Sequence, residues 1–512
     1  MGIYTPAGDR VMKEEIQITI SNSKKLLSLK KGESLFAWLR KSGLFHGEFC
    51  GGIGKCGRCK VRFLENAPLP MPSERRLLTP EELRSGLRLA CVTKPVADCE
   101  IELCFPEEKK MFVLDRLLEN RGMNGEASFD FGSPCRCEKD EMVIADIGTT
   151  TIAMLLVEKG SGQIKASYHQ LNPQRKYGSD VISRIGAGMS GESSELSKLV
   201  REVLLQGLKE LGGDPQFMAA AGNTGMIYLL MEKPLEGLAK APFTAANREE
   251  IVTQSGGLTT YIMPGISAFV GGDISAGIYA LLMQMQEDRK KRLADEKSIP
   301  DETILLLDLG TNGEMALLTP KEIYVTATAA GPAFEGRTGL WGRDMVSFLA
   351  DLMQNGLIDR YGTLKEPFFS DGLRVKEVRI TQEDIRALQL AKAAVRTGIE
   401  ILCKQAGCRY DEIDRVCLAG GFGYLIDPQK AGQIGLLPKE LAGKAEAVGN
   451  TALTGLFLKY REYGKAGMEC SLTHDLSRRE RICDRIQNAK VFNLAECPEF
   501  NENYVKHMNL GE

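Results

Sequence analysis

The chain has 512 residues, which is more than one hydrophobic core holds, so we expect two to four domains. A net charge of −3 at pH 7 gives no reason to expect nucleic acid or an anionic membrane as a partner, and 43% hydrophobic with 26% charged residues excludes a disordered chain. No apolar run is long enough for a signal peptide core or a membrane span, which predicts a cytoplasmic location. The fourteen cysteines are then expected as metal ligands, reactive thiols or core residues rather than disulfides.

The first elements along the chain predict a hairpin followed by a helix. Residues 15–20, EIQITI, alternate apolar and polar side chains, and a second apolar segment, KKLLSLKKGE, follows after the polar break SNS. Ser34 is a suitable N-cap for the segment LFAWLRKSGL, in which Leu35, Trp38 and Leu39 share one helical face.

A cysteine-rich loop, FCGGIGKCGRC, comes directly after this predicted helix. Cys50, Cys56 and Cys59 are separated by five and then two residues, and Cys91 in RLACVTKP is a candidate fourth ligand. Thiolates hold the iron of [2Fe–2S] clusters, and glycines let the backbone turn its N–H groups toward the sulfur atoms. Zinc and buried thiols are the alternatives, but zinc sites with four cysteines usually come as two close pairs, so the spacing favours iron and sulfur.

The loop CGGIGKCGRC with the later LAC resembles the [2Fe–2S] ferredoxins, and the five-residue first gap is similar to their adrenodoxin-like branch. The resemblance covers about residues 13–107 and implies a β-grasp fold in a domain of residues 1–107. Cys99 and Cys104 are rival fourth ligands, but CEIELC is typical of a closing strand with packed cysteines, which favours Cys91. Residues 108–141 are turn-rich and are predicted to form a linker.

Beyond the linker the chain contains a repeated hairpin motif. VIADIGTTTIAMLLVE and ILLLDLGTNGEMALLT each place D-(I/L)-G-T between two apolar strands, which predicts a duplicated domain. In the two copies Asp146 corresponds to Asp308, Gly148 to Gly310, and Thr149 to Thr311. Such turns let backbone N–H groups approach phosphate oxygens, the hydroxyls of Thr149, Thr150 and Thr151 can donate to them, and the aspartates can hold hydrated Mg²⁺.

A third segment, VCLAGGFGYLIDP, predicts a buried strand that ends in a glycine loop able to lie against a nucleoside. Two phosphate hairpins followed by AGGFG resemble the superfamily of acetate and sugar kinases, Hsp70 and actin (ASKHA); two unrelated α/β domains are the alternative. The resemblance implies a phosphate-1 loop from Asp146 to Thr151 and a phosphate-2 loop from Asp308 to Gly313 that includes Asn312. It also implies an adenosine loop made of Gly420, Gly421, Phe422 and Gly423.

Three further positions are candidates for the same site. Gly272 and Asp273 in GGDISAG either face the nucleotide or only begin a helix that Asp273 caps. Asn223 and Thr224 follow a predicted strand, whose end commonly faces the cleft, and a helix N-cap is the alternative. Glu314, just after the second loop, is the candidate that orients the attacking water.

These patterns predict a multidomain α+β and α/β protein. The N-terminal β-grasp ferredoxin domain is followed by a duplicated ASKHA fold, with a first lobe of residues 142–300 and a second lobe of residues 301–465. The remaining residues, 466–512, are expected to form an extension that packs on the second lobe.

A ferredoxin domain joined to this ATPase fold resembles the reductive activators of corrinoid proteins. CGGIGKCGRC, LAC, VIADIGTTT, DLGTNGEMAL and LAGGFG lie where that family has them, so the resemblance spans nearly the whole chain. It implies an ATP-hydrolysing iron–sulfur reductase that returns Co(II) to Co(I) in the corrinoid (cobalamin-binding) protein of a methyltransferase system. The implied cofactors are a [2Fe–2S] cluster, ATP and Mg²⁺. The implied partners are the corrinoid protein and an upstream low-potential electron donor, and the family suggests a homodimer.

Other functions are compatible with parts of this pattern. A redox-sensing regulatory ATPase would bind a partner without reducing cobalt, and no residue of the sequence excludes it. Activators of 2-hydroxyacyl-CoA dehydratases share the ATPase fold but lack a ferredoxin domain, so the cysteines from Cys50 to Cys91 argue against that class. In a small-molecule kinase the iron–sulfur domain would have no task.

Overall fold

The computed structural model divides the chain into two compact units, Met1–Met111 and Phe112–Glu512. Cys50, Cys56 and most of the predicted linker lie outside the described residues. No helix in the described part of the chain is both long and apolar enough to cross a bilayer. The structure describes residues 15–21, 25–30, 32–33, 35–41, 59–104, 140–178, 180–244, 247–294, 302–330, 342–375, 378–423, 426–463 and 476–511.

The described strands of the first unit form one mixed sheet in the order β2-β1-β5-β3-β4. β1 and β2 are the antiparallel hairpin that the alternation predicts, and β1 also pairs with β5 in parallel. The strands are β1 (Glu15–Ile20), β2 (Lys25–Lys30), β3 (Lys60–Phe63), β4 (Leu87–Leu89) and β5 (Cys99–Leu103). The helices are α1 (Leu35–Lys41), α2 (Pro72–Leu77) and α3 (Pro80–Arg84).

The hydrophobic core of this unit lies between the sheet and α1. Ile16, Ile18 and Ile20 point inward from β1 and are at most 3% exposed, and α1 contributes Leu35 and Leu39, which are fully buried. Burying such a side chain stabilises the fold by roughly 1.5–3 kcal/mol each. The period-two and helical patterns of the sequence therefore correspond to the observed core.

The first half of the second unit is a six-stranded sheet in the order β10-β11-β9-β6-β7-β8. Its strands are β6 (Glu141–Ile147), β7 (Thr151–Glu158), β8 (Ile164–Leu171), β9 (Pro215–Gly222), β10 (Ile251–Ser255) and β11 (Leu258–Ile262). The α-helices are α4 (Val181–Ala187), α5 (Ser193–Leu211), α6 (Thr224–Leu230), α7 (Glu236–Ala239) and α8 (Gly272–Ala294), with a 3₁₀ helix at Pro173–Tyr177 and a π-helical turn at Gly188–Glu192.

The second half contains a six-stranded sheet in the order β18-β17-β12-β13-β14-β19 and a separate β15-β16 ribbon. The strands are β12 (Ile304–Leu309), β13 (Gly313–Leu318), β14 (Ile323–Thr328), β15 (Leu373–Val375), β16 (Val378–Ile380), β17 (Arg415–Ala419), β18 (Ala445–Gly449) and β19 (Lys490–Phe492). The α-helices are α9 (Gly342–Gln354), α10 (Phe368–Asp371), α11 (Gln382–Ala406), α12 (Gly420–Gly423), α13 (Pro428–Ile434), α14 (Lys439–Ala442), α15 (Thr451–Tyr460), α16 (Leu476–Gln487) and α17 (Phe500–Lys506), with 3₁₀ turns at Tyr410–Glu412 and Leu494–Glu496.

The two sheets repeat one topology. β11-β9-β6-β7-β8 in the first corresponds strand for strand to β18-β17-β12-β13-β14 in the second. In each, an antiparallel hairpin carries the D-G-T motif, and its first strand also pairs in parallel with the strand on its other side. The fold is thus a ferredoxin-like unit followed by a duplicated ASKHA-type unit, as predicted.

Helices α8 and α15 cross at close range between the two sheets. A Cβ atom at Gly455 would overlap the carbonyl oxygen of Ala276, and one at Gly277 would lie 2.8 Å from the hydroxyl oxygen of Thr451. Both contacts involve the first turns of the helices, so the absence of side chains brings the two helix N-termini together. At the other end of α15, the Tyr460 hydroxyl donates a hydrogen bond of 2.5 Å to Glu250 in the first lobe.

Replacing Gly455 with alanine tests this crossing. The added methyl group has no space against the Ala276 carbonyl, so we expect Gly455→Ala to lower the free energy of unfolding by about 3 kcal/mol, the upper part of the usual overpacking range. Urea unfolding followed by circular dichroism measures the change. Gly186→Ala is the matched helical control, because a Cβ atom there meets no neighbour within 4 Å. Equal stability of both variants would contradict the close crossing.

Candidate functional site

Four carboxylates from both lobes face one another in the cleft of the second unit. Asp146 ends the β6 side of the first hairpin, Asp308 has the equivalent place on β12, Asp273 lies in the first turn of α8, and Glu314 is directly opposite Asp308 on β13. Desolvation in the cleft raises the pKa of Asp146 to about 6, although a hydrogen bond from Asn450 opposes the shift. Asp146 and Asp308 thus converge from positions 162 residues apart in the chain.

The other three carboxylates have raised pKa values for the same reasons. Desolvation, followed by the charge of Asp146, raises the pKa of Asp273 to about 7. Desolvation and then the charges of Asp273 and Asp146 raise the pKa of Asp308 to about 8. Glu314 is 7% exposed, and desolvation with the charges of Asp273 and Asp308 raises its pKa well above the usual range. The cluster therefore gains proton affinity that a cation would relieve.

The arrangement suits a hydrated cation better than a bare one. Among the described residues, no three histidine, cysteine, aspartate or glutamate side chains converge closely enough to enclose a metal ion. Mg²⁺ usually keeps several water ligands and is bound through one or two carboxylates together with substrate phosphates. Asp146 and Asp308 fit that mode, since each stands at the end of a strand beside a glycine-containing turn.

The two phosphate hairpins touch at their tips. The hydroxyl oxygens of Thr150 and Thr311 are 3.0 Å apart across the cleft. Glycine is required at position 148, where a Cβ atom would lie 2.6 Å from the carbonyl oxygen of Thr151. Gly310 has open space instead, because a Cβ atom there would come no closer than 3.8 Å to its nearest neighbour, the Asn312 carbonyl oxygen. Small residues thus let the two turns meet, with Thr149 and Gly313 beside them.

The predicted adenosine loop begins a short helix after β17. Gly420 has φ +79°, and a Cβ atom there would overlap the carboxylate of Asp308, so only glycine fits. Gly421 is exposed with no neighbour near its Cβ direction, and Gly423 is buried. Phe422 is 7% exposed and packs in the core of the second lobe. The exposed part of this loop is therefore glycine backbone, which suits close approach of a flat ring.

Asn223 combines the two alternatives that the sequence leaves open. It follows β9 at the cleft and also caps α6, accepting a hydrogen bond of 2.9 Å from the Gly225 amide. Its side-chain amide donates to Glu314 over 3.2 Å. The hydroxyl of Thr224 instead donates to the carbonyl oxygen of Ser267, so Thr224 bonds to the protein backbone. Likewise, Asp273 begins α8, one residue after Gly272, and also faces the other acids.

Asn450 belongs to the site, although the sequence patterns did not single it out. Its oxygen accepts from the Leu453 amide at 2.9 Å and so caps α15, while its nitrogen donates to Asp146 at 2.8 Å. The tripeptide Gly-Asn-Thr occurs both at residues 222–224 and at residues 449–451. That recurrence is the signal that would have found it.

In the first unit, Cys59 and Cys91 lie at one end of an antiparallel strand pair. Cys59 directly precedes β3, Cys91 follows β4 by two residues, and the Ala90 amide donates to the Cys59 carbonyl oxygen at 2.8 Å. Cys59 is 3% exposed, and Cys91 packs partly buried beside the same core. The pairing places two of the four predicted ligands next to each other, although 31 residues separate them in the chain.

Cys104 is on the other face of this sheet. Its amide donates to the Lys60 carbonyl oxygen at 3.1 Å, which continues the register in which Arg62 is opposite Glu102. Side chains alternate along a strand, so Cys104 shares the face of the Arg62–Glu102 ion pair, while Cys59 shares the face of buried residues. This geometry supports Cys91 over Cys104.

Cys99 is at the opposite end of the sheet. It begins β5 and pairs with Ile18, whereas Leu103, four residues later, pairs with Val61 near Cys59. Four residues of strand span about 13 Å. Burial, followed by the charge of Asp98, raises the pKa of the Cys99 thiol to about 11, which keeps it protonated. Cys99 is therefore a core residue.

Glu74 braces the segment that carries Cys91. Its fully buried carboxylate accepts hydrogen bonds from the Leu89 amide at 2.6 Å and the Thr93 hydroxyl at 2.9 Å, on either side of Cys91. It also accepts from the Met71 amide at 2.7 Å. Three hydrogen bonds compensate the buried carboxylate and fix the backbone around the cysteine.

The sequence matches three domain families in order. Residues 18–96 match the 2Fe-2S iron-sulfur cluster binding domain, residues 142–286 match the RACo middle region, and residues 302–343 and 337–512 match the C-terminal domain of RACo, described as the ASKHA domain. Fold and motifs together define an iron–sulfur protein with an ASKHA-type domain. This combination and order of domains place the chain in the family of reductive activators of corrinoid proteins.

Individual relatives agree with this assignment. The chain is 28% identical over 469 residues to the corrinoid activation enzyme RamQ of Eubacterium limosum, an alignment that covers 76% of this chain and 74% of the relative. The solved structure titled reductive activator for corrinoid, iron-sulfur protein superposes with a TM-score of 0.59 at 23% identity, over 97% of this chain and 99% of the other, and so shares its fold.

A further relative matches the first unit alone. A component of the Na⁺-translocating NADH-quinone reductase of Idiomarina loihiensis is 38% identical over 103 residues. The match covers 20% of this chain and 24% of that component, so it concerns the ferredoxin domain only.

Cysteine substitutions test the cluster ligands. We expect Cys91→Ser to change or abolish the visible absorption and electron paramagnetic resonance of the cluster, because a thiolate ligand is lost. Cys99→Ser, at the far end of the sheet, should leave both spectra unchanged. The reverse pattern would make Cys99 the ligand.

The acid cluster also predicts how stability depends on pH. With its pKa near 8, folded Asp308 keeps a proton that the unfolded chain, with a pKa near 3.8, has lost. Its contribution is therefore fully present below about pH 4 and is lost as the pH rises through 8. In Mg²⁺-free buffer, Asp308→Asn should raise the melting temperature by roughly 2 °C or more at pH 8.5, and by much less at pH 4.5. An equal gain at both values would exclude this origin.

Proposed function

We propose that this protein hydrolyses ATP to drive one electron from a [2Fe–2S] cluster into a corrinoid protein of a methyltransferase system, returning Co(II) to Co(I). The observation that carries the proposal is the convergence of four carboxylates and two D-G-T hairpins in one cleft, in a chain that also has a ferredoxin domain. We place the protein in the cytoplasm, supplied by a low-potential electron donor, and expect a homodimer.

The residues of the cleft would divide the work on ATP. Asp146 and Asp308 would hold hydrated Mg²⁺, and Thr149, Thr150 and Thr311 with the neighbouring amides would stabilise the phosphate oxygens. When bound, Mg²⁺ and ATP supply the charge that the carboxylates neutralise and the phosphoryl group that water attacks. These roles follow the positions of the two hairpins on either side of the cleft.

Glu314 is the candidate to orient water and accept its proton. Without a cation, its raised pKa keeps it protonated at neutral pH, and a protonated carboxyl cannot act as a base. A cation held by its neighbours would lower that pKa, since opposite charge favours the ionised form. Glu314 would then become active only when the cleft is loaded.

For the cluster, Cys50, Cys56, Cys59 and Cys91 would be the ligands. The bound cluster would supply one electron at a potential near about −400 mV, as in plant-type ferredoxins. Cobalt(II) in a corrinoid protein has a lower potential in this family, so the transfer needs an energy source. Nucleotide binding would provide it if the loaded and unloaded cleft differ in affinity for the corrinoid protein.

The second candidate, a redox-sensing regulatory ATPase, differs in one measurable step. It would bind a partner and hydrolyse ATP, but no electron would reach cobalt. Formation of Co(I) therefore separates the two functions.

Anaerobic visible spectroscopy tests the proposal. A Co(II) corrinoid protein is mixed with this protein and a low-potential reductant, with and without Mg-ATP, and we expect a Co(I) band that grows only with ATP. Asp308→Asn is the control: it should keep the cluster spectrum but lose ATP hydrolysis and the Co(I) band by at least about 100-fold, since it removes a charge from the cation site. ATP hydrolysis without Co(I), across several corrinoid proteins, would favour the regulatory ATPase.

A further inference from the structure

Two asparagines make reciprocal hydrogen bonds across the cleft. Asn223 of the first lobe donates its side-chain amide to Glu314 of the second lobe at 3.2 Å. Asn450 of the second lobe donates to Asp146 of the first at 2.8 Å. Each bond therefore joins one lobe to a carboxylate on the hairpin of the other.

Each asparagine is also fixed within its own lobe. The side-chain oxygen of Asn223 accepts from the Gly225 amide at the start of α6, and that of Asn450 accepts from the Leu453 amide at the start of α15, both at 2.9 Å. Serine and aspartate are equally good N-caps, but only an amide side chain offers an acceptor for the cap and an N–H donor for a carboxylate. The geometry uses both ends of the amide.

The bonds orient the carboxylates that they reach. Asn450 contacts Oδ2 of Asp146 and Asn223 contacts Oε1 of Glu314, so in each carboxylate one oxygen has a fixed donor. The other oxygen is then held in one direction. A third contact, between the hydroxyls of Thr150 and Thr311, joins the hairpin tips between them.

We propose that Asn223 and Asn450 are positioning residues that tie the helix cap of each lobe to the carboxylate of the other. Closure of the cleft and orientation of Asp146 and Glu314 then become a single event. The positioning role rests on the proposed ATP hydrolysis, whereas the hydrogen-bonded link between the lobes does not. Asn450 acts in this scheme through Asp146, and Asn223 acts through Glu314.

Serine variants separate the link from the cap. Asn450→Ser and Asn223→Ser keep an N-cap acceptor but lose the amide that reaches across the cleft. Asn493→Ser is the matched control, because Asn493 also caps a helical turn, accepting from Ala495, but donates locally to Glu496. Asn450→Ala removes the cap of α15 as well as the link.

The first readout is hydrogen exchange of the nucleotide-free full-length protein, followed by mass spectrometry. Peptides covering residues 146–151 and 308–314 should exchange about tenfold faster in either cross-cleft serine variant, the factor that one hydrogen bond to a charged group commonly contributes. Peptides from the start of α15 should change in Asn450→Ala but not in Asn450→Ser. Hairpin exchange at the wild-type rate in both serine variants would overturn the link.

The second readout is steady-state ATP hydrolysis. If the asparagines position the carboxylates, kcat should fall about 10- to 100-fold in each serine variant, with the KM for ATP within about threefold of wild type. Asn493→Ser should match wild type. Unchanged kcat together with faster exchange would overturn the positioning role. Should wild type hydrolyse no ATP while the exchange rates respond as expected, the proposed function is wrong and the link stands.

Discussion

Electrostatic repulsion among Asp146, Asp273, Asp308 and Glu314 is the constraint on which the second unit depends. The duplicated hairpins and the crossing of α8 with α15 bring these acids into one cleft, where desolvation raises their pKa values. Such a cluster lowers stability at neutral pH unless protons or a cation neutralise it. A stability cost at this place is the usual mark of a site built to bind charge.

The rest of the unit accommodates that cluster. Gly277 and Gly455 let the two central helices approach, and Gly420 leaves room for the carboxylate of Asp308. Asn223 and Asn450 then supply hydrogen-bond donors from opposite lobes. The first unit solves a similar problem locally, where Glu74 accepts hydrogen bonds from both sides of Cys91.

Much of the fold was predictable from local patterns. The β1–β2 hairpin, the two D-G-T hairpins and the glycine loop after β17 are each encoded within about twenty residues, where periodicity and turn chemistry act directly. Asn450 was not predictable in this way, because a cap asparagine has the same local sequence whether or not its amide reaches a carboxylate. The same holds for Thr224, whose hydroxyl bonds to the Ser267 carbonyl oxygen.

The sequence by itself determined the domain types, since cysteine spacing and repeated D-G-T turns are local consequences of ligand and phosphate chemistry. Only the tertiary structure decided which distant residues meet. Asp146 and Asn450 are 304 residues apart, and their 2.8 Å contact depends on how α15 packs against the first sheet. Likewise, the pairing of β3 with β4, rather than sequence distance, sets Cys91 beside Cys59. Packing of whole elements fixes such contacts, and no short stretch of sequence contains that information.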